Sequence, residues 1–471
     1  MGGEVRKMAT PYSSQKVLIL GAGVTGIAVA QALSRRGAIV GIVDENKNSL
    51  FDFLRVESDA IDFAQWDSIV VSPGWKESHP IIQGAQLAGI AVLNEIDIAW
   101  EMHLEMNPSQ KWVAITGTNG KTTTVEMAAS MLRSGGLHAI ACGNVGETVI
   151  SVVDQSDPYD YLVVELSSFQ LHWSKKAQFV SCAILNIADD HTDWHGSFEN
   201  YAQAKISLLD RSSTAILNGG DGVVVEKSAH WQGRKIFYSL DTPNPGELGV
   251  VENLLVDRAF VLDPQEAAMI CELVDVKPTV PHNVANALAA AGIARSLGVA
   301  HEAIQSALQK FTLGRHRIEV VCEKNGITWI DDSKATNPHA AAASLLSQLH
   351  VVWIAGGLAK GAKMEDLIAR TKSRIRCAII IGSDGEIIAE ELRKQAPEVE
   401  IFKIDTPADY HKGGDSNSLM EAIVKRANEV AVEGDAVLLA PACASMDQFL
   451  SYSDRGDRFA EAVKKVVLNE K

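Results

Sequence analysis

Short apolar runs that break at glycine recur along this chain, and each is followed by a stretch with apolar residues every three or four positions. That alternation predicts strands feeding helices, the signature of α/β layers. Residues 16–20 (KVLIL) lead into Gly21-Ala22-Gly23-Val24-Thr25-Gly26, then a helix through Ala30 and Leu33, then a strand over 38–43 ending at Asp44. Strands at 68–71 and 90–93 complete a first unit, residues 1–100. In a second unit, 101–314, Trp112, Val113 and Ile115 run into Gly117-Thr118-Asn119-Gly120-Lys121-Thr122-Thr123, and Val125, Met127, Ala128, Met131 and Leu132 mark the helix beyond. Strands over 161–166 and 180–187 follow, then a helix through Tyr201, Lys205 and Leu208, and an Ala-rich helix opened by Pro281. A third unit, 315–471, alternates strands at 327–330, 351–355, 377–381 and 436–439 with helices. The expected fold is α/β in three domains: a Rossmann-like N-terminal domain, a central phosphate-loop ATPase domain and a Rossmann-like C-terminal domain, with a hinge near 313–317.

Glycines placed between a strand and a helix let backbone N–H groups close around phosphate oxygens, with a lysine reaching the terminal phosphates and a hydroxyl offered to Mg²⁺. Gly117, Thr118, Asn119, Gly120, Lys121, Thr122 and Thr123 fit that role, although Ile115 stands where the usual loop has its first glycine. A tight turn is the plainer alternative. The Gly21–Gly26 motif with Asp44 some 20 residues on reads as a dinucleotide site, hence a dehydrogenase; the same geometry cradles the pyrophosphate of a nucleotide sugar. Glu165 and His191 fall at the carboxyl ends of successive strands, where ligands gather in open sheets, though either alone also reads as a loop residue. Lys205 reads by default as a solvated helix lysine, and Asn283 and Asn286 share a helix face, as caps or as readers of a base edge. The third unit's strand ends carry Asp332, Lys334, Thr336, Lys360 and Ser445, a partly cationic set suited to a small dicarboxylate and a nucleotide, with ordinary polar loops as the alternative.

Composition narrows the class. Of 471 residues, 46% are hydrophobic and 22% charged, as in ordinary folded proteins. Lys plus Arg total 43 against 59 Asp plus Glu, and the net charge of −16 disfavours nonspecific binding to nucleic acid or anionic membrane. Six scattered cysteines with no paired spacing suit reduced thiols in a cytoplasmic protein. No apolar run is long enough for a membrane span, and residues 1–14 read as a loose extension without an apolar signal core.

The segments VAITGTNGKTTT, VVELSSFQL, LNIADDHTDWH, PHNVANALAA, RHRIEV, WIDDSKATNP and LLAPACASMDQFLSYSDRGDRF, in this order, resemble the Mur ligases of peptidoglycan synthesis over nearly the whole chain. The first is shared with folylpolyglutamate synthases, whereas DDSKAT and PACASMDQF resemble the D-glutamate-adding branch. The resemblance implies a monomeric ATP-dependent amide ligase that passes the γ-phosphoryl group to the carboxylate of UDP-N-acetylmuramoyl-L-alanine and lets D-glutamate attack the acyl phosphate. It implies Lys121, His191 and Lys205 as catalytic residues, and Thr122, Glu165, His191 and Lys205, the last as a carbamate, as ligands of two Mg²⁺ ions. It further implies Asn283, Asn286, Arg317 and Asp332 on the adenosine side of ATP, and Val24, Thr25, Asp44 and Asn144 along the UDP-sugar. Lys334, Thr336, Lys360, Ser445 and Tyr452 would hold D-glutamate. The rival readings are a folylpolyglutamate synthase-like ligase, another Mur ligase and, from a different class, an NAD-dependent dehydrogenase.

Overall fold

A computed structural model describes residues 12–46, 49–263, 265–407 and 409–468. Most of the expected N-terminal extension, residues 1–11, lies outside these; Tyr12, Ser13 and Ser14 form a turn before the first strand. Two compact units result, one made of 1–187, 199–273 and 285–309, the other of 188–198, 274–284 and 310–471.

The first unit holds two sheets. In one, five parallel strands run in the order Leu54–Arg55, Ile39–Val43, Lys16–Leu20, Ser68–Val71, Ala91–Asn94. Chain order doubles back at Lys16–Leu20, so a crevice opens beyond its carboxyl end, where the Gly21–Gly26 loop starts the helix Val24–Arg35. The second sheet has nine strands, and Lys111–Thr116 lies between Tyr161–Glu165 and Ser181–Ile184, parallel to both. Val113, Ala114 and Ile115 are fully buried, which explains an uninterrupted apolar run in place of an alternating one. At its far edge, Leu248–Val251, Leu254–Asp257 and Ala268–Glu272 pair antiparallel, an extension absent from the expected alternation of strand and helix.

Asp97 ties the two sheets of this unit together. Its buried carboxylate accepts hydrogen bonds from Ser174 Oγ (2.8 Å), the Lys175 and Lys176 amides (2.8 and 3.0 Å) and Asn94 Nδ2 (2.9 Å). Burial works to raise its pKa, but these donors outweigh burial and hold it below the usual range. A depressed carboxylate stabilises the fold above its unfolded pKa near 3.9, and that contribution is lost as pH falls through the folded value. Asp97→Asn should therefore cost about 2–3 kcal/mol at pH 7, with the gap from the wild type closing below about pH 4, as read by urea melts across pH.

The second unit carries a six-stranded sheet ordered Glu319–Lys324, Ile327–Asp331, Ala436–Leu439, Val351–Gly356, Ile375–Ile381, Glu400–Lys403, antiparallel only at Glu319–Lys324. Helices cover both faces, with Trp353 in the core on one side and Trp329 on the other. Gly356 and Gly357, at φ of 122° and 134°, bring loops together that no β-carbon would allow: one at Gly357 would lie 2.2 Å from the Ala444 oxygen.

Candidate active site

The loop 117–123 is held from three directions. The Thr118 amide donates to the Asn186 oxygen (2.9 Å), and the Asn186 side chain takes the Asn119 amide (2.8 Å) and returns a bond to the Asn119 oxygen (3.1 Å). Thr118 Oγ1 lies 2.8 Å from the Tyr201 hydroxyl on the helix Phe198–Ile206. Gly120, left-handed at φ 81°, caps the helix Lys121–Ser134, and a β-carbon there would lie 2.4 Å from Asn286 Oδ1. Asn286 thus lies against the loop, whereas Asn283 donates to the Pro278 oxygen (3.0 Å) and closes the turn ahead of its helix.

Two lysines converge on this loop. Lys121 Nζ donates to the Gly117 and Thr118 oxygens, both at 2.9 Å, and Lys205 Nζ reaches the same Gly117 oxygen at 2.8 Å. Lys205 is 1% exposed and stands 4.8 Å over the Tyr201 ring, so its burial overrides the solvated position its helix pattern suggests. Two lysine head groups thus crowd one carbonyl oxygen of a loop whose helix N-terminus favours an anion.

Glu165 ends the strand beside the loop, in register with Ile115. Its carboxylate is 2% exposed; Oε1 accepts from Asn144 Nδ2 (2.8 Å) while Oε2 is buried without a hydrogen-bond partner. A buried carboxylate oxygen left open is costly unless a cation takes it, so Glu165 fits a hard divalent ion. Asn144, expected along the substrate, here orients that carboxylate. His191 belongs to 188–198 in the other unit, where it starts a short helix at φ 52° with its amide donated to Asp190 Oδ1 (3.0 Å).

In the first sheet Asp44 Oδ2 accepts the Ala22 amide at 2.5 Å, so this carboxylate organises the glycine loop itself. Val24 is 79% exposed at the start of its helix, Thr25 is half-buried, and Gly23 caps the helix without a side-chain bond, which leaves its N-terminus open.

The second unit gathers a different cluster at the end of Ile327–Asp331. Asp332 accepts the Ile318 amide (3.3 Å) and the Ser344 hydroxyl, and burial raises its pKa to about 6. The charge of Arg317 acts on Asp332 to lower it, in part offsetting burial. Lys334 Nζ stands 3.8 Å over the Tyr452 ring. Burial would raise the Tyr452 phenol, but the Lys334 charge and its hydrogen bonds to Ser453 and Lys334 bring it below its ordinary value. Ser445 is buried, Thr336 is half-buried beside Lys334, and Lys360 is exposed at φ 51°. Sequence reasoning passed over Arg455, which is buried and donates to Ser333 Oγ (2.9 Å) and to the Ser333 and Cys443 oxygens (3.0 and 3.3 Å). It also passed over Asn186, inside a quoted motif, and read Tyr201 only as a helix position; neither carries a charge to draw notice.

Family models match the three sheets in turn: Mur ligase MurD-like, N-terminal domain over 15–94, Mur ligase middle domain over 115–294, and Mur ligase, glutamate ligase domain over 316–443. The chain belongs to the Mur ligase family, the ATP-dependent ligases of three-domain α/β architecture. Among its relatives, the UDP-N-acetylmuramoylalanine–D-glutamate ligase of Streptomyces coelicolor is 43% identical over 98% of this chain and all of the relative. The enzyme of that name from Thermobifida fusca is 43% identical over 96% of this chain and 98% of its own. The fold resembles that of a pseudomurein peptide ligase type C from Methanothermus fervidus (TM-score 0.59, 19% identity, 96% of this chain and 100% of that one). It also resembles UDP-N-acetylmuramate–alanine ligase from Thermotoga maritima (TM-score 0.57, 16% identity, 96% and 99%). Among the described residues no helix is long and apolar enough to cross a membrane.

Proposed function

We propose that this chain joins D-glutamate to UDP-N-acetylmuramoyl-L-alanine at the cost of ATP, in the cytoplasm and as a monomer, in peptidoglycan precursor synthesis. The observation that carries the reading is the pair of lysines, Lys121 and Lys205, meeting at the Gly117 oxygen, with Glu165 in register with Ile115 on the neighbouring strand. A carboxylate is a poor electrophile; phosphorylation gives it a good leaving group. A substrate carboxylate oxygen attacks the γ-phosphorus and ADP leaves, then the amine of D-glutamate attacks the carbonyl carbon and phosphate leaves with loss of a proton.

Residues 1–100 take the UDP-sugar, with Val24 and Thr25 at the open helix N-terminus and Asp44 shaping the loop. Residues 101–314 take ATP: the amides of 117–123 wrap the phosphates, Lys121 neutralises the transferred group, and Asn283 and Asn286 serve the nucleoside. Thr122, Glu165, His191 and carbamylated Lys205 would hold Mg²⁺ at two sites, where the ions would supply charge neutralisation to the phosphates. Residues 315–471 take the incoming amino acid through Lys334, Thr336, Lys360, Ser445 and Tyr452, with Arg317 and Asp332 on the nucleoside. The half-buried Lys334 ammonium suits a dicarboxylate.

A panel of amino acids tests this reading. Phosphate release from ATP in the presence of UDP-N-acetylmuramoyl-L-alanine should depend on D-glutamate, and release driven by L-alanine or diaminopimelate instead would reassign the enzyme.

A further inference from the structure

The segment 315–318 is backbone-strained. His316 and Ile318 adopt φ of 64° and 50°, and a β-branched residue in the left-handed region is a rare conformation that its surroundings must impose. Four bonds impose it here. The His316 amide donates to Glu319 Oε2 (2.9 Å), and Lys334 donates its amide to the His316 oxygen (3.2 Å). The Ile318 amide donates to Asp332 Oδ1 (3.3 Å), and His316 Nδ1 bonds Asp331 Oδ2 (2.7 Å). Asp331 is fully buried and His316 is 4% exposed, and Asp331 Oδ1 separately takes the Ser333 amide (2.9 Å). The helix Tyr452–Val463 seals the pair: a β-carbon at Gly456 would lie 2.2 Å from His316 Nδ1 and 2.7 Å from Asp331 Oδ2.

His316, Glu319 and Asp331 have the composition of a metal site, with ligand atoms within 4.8 Å of one another. Glu319 Oε2 already takes the His316 amide, and the two Asp331 oxygens are bonded to the His316 ring and the Ser333 amide, so the cluster serves the backbone. Arg317 stands between the two left-handed residues, and Asp332 follows Asp331 directly, so the direction of both side chains depends on this knot.

We infer that Asp331 and His316 are positioning residues, whose hydrogen bond locks the strained segment and so sets how Arg317 and Asp332 meet the nucleotide. The inference rests on the assignment of Arg317 and Asp332 to ATP. Charged and titratable groups facing the imidazole are Arg315 and Glu319 from its own segment, Asp331 from the strand end, and Asp457 (3.9 Å from Nε2) and Tyr452 from the helix. The hydrogen bond to Asp331 raises the imidazole pKa above its ordinary value against the opposing effect of burial. A raised pKa means the lock is complete at lower pH and weakens as pH climbs through that value.

Asp331→Asn keeps the shape and removes the charge. It should raise the KM for ATP about tenfold, leave the KM for the UDP-sugar within about twofold, and bring the rise of ATP KM with pH to a lower pH. His316→Asn, which tolerates a left-handed backbone, should show a similar ATP effect without that pH dependence, and the double variant should be no worse than either single one. Calorimetric titration with ADP reads the same defect without turnover. ATP and ADP affinities unchanged in both variants, or KM values for ATP and the UDP-sugar rising together as the melting temperature falls, would overturn the inference. A wild-type enzyme whose phosphate release ignores D-glutamate sinks the proposed function; an active wild type with ATP-indifferent variants sinks only this lock.

Discussion

Lys205→Ala should lower D-glutamate-dependent phosphate release about a thousandfold while leaving the fold intact. The reason lies in an electrostatic conflict at Gly117. Two ammonium groups share one carbonyl oxygen, and Lys205 is buried against Tyr201 with almost no contact with water. Burying like charges together is expensive, and the Glu165 oxygen is left open to a cation, not to an anion. Reaction of the neutral Lys205 amine with CO₂ forms an N–C bond, releases a proton and turns a positive head group into an anionic oxygen donor. That resolves the conflict and completes a ligand set for a hard ion. Wild-type enzyme stripped of CO₂ should therefore lose activity and regain it in bicarbonate, while Lys205→Ala should not respond. A wild type indifferent to CO₂ would leave Lys205 as an ammonium clamp on the loop and end the carbamate idea.

The parts of the site that were legible in sequence are those where a residue type is dictated by its own backbone. Gly120 must be glycine because φ is positive and Asn286 lies against it; Lys121 and Thr122 follow because a helix starts there. Strand ends were legible for a similar reason, since apolar runs buried on both faces stop sharply where the chain turns into solvent. The antiparallel edge Leu248–Val251, Leu254–Asp257 and Ala268–Glu272 was missed because it is joined by the short turn Glu252-Asn253, which lacks the glycine signal that marks most hairpins. Lys205 misled because a helix lysine looks solvated until another element covers it, and the covering loop lies nearly ninety residues earlier in the chain. Asp44 shows the same dependence: its motif places it after the second strand, and only the assembled sheet brings its Oδ2 to the Ala22 amide. Burial and partnership are properties of the assembled sheets, and local pattern carries neither.

Arg455 shows the same limit with the larger consequence for stability. Its guanidinium is 1% exposed and makes its bonds to neutral oxygens of Ser333 and Cys443, and burial lowers its pKa to about 10, which leaves it charged at neutral pH. The Ser333 hydroxyl in turn donates to the Tyr452 oxygen (2.7 Å), so one side chain fastens the end of Ile327–Asp331, the end of Ala436–Leu439 and the helix Tyr452–Val463 to each other. Arg455→Ala would strand these acceptors in a buried cavity and should cost about 3–5 kcal/mol, seen as a fall of roughly 10 °C in the unfolding of the second unit by calorimetry. Lys334 and Tyr452 sit on the two elements it joins, so the KM for D-glutamate should rise as well, even well below the melting temperature. Arg455→Lys keeps the charge but loses the fork that reaches Ser333 and Cys443 together, and it should recover less than half of the stability. An Arg455→Ala enzyme with wild-type melting and an unchanged KM for D-glutamate would show that these elements hold without the guanidinium.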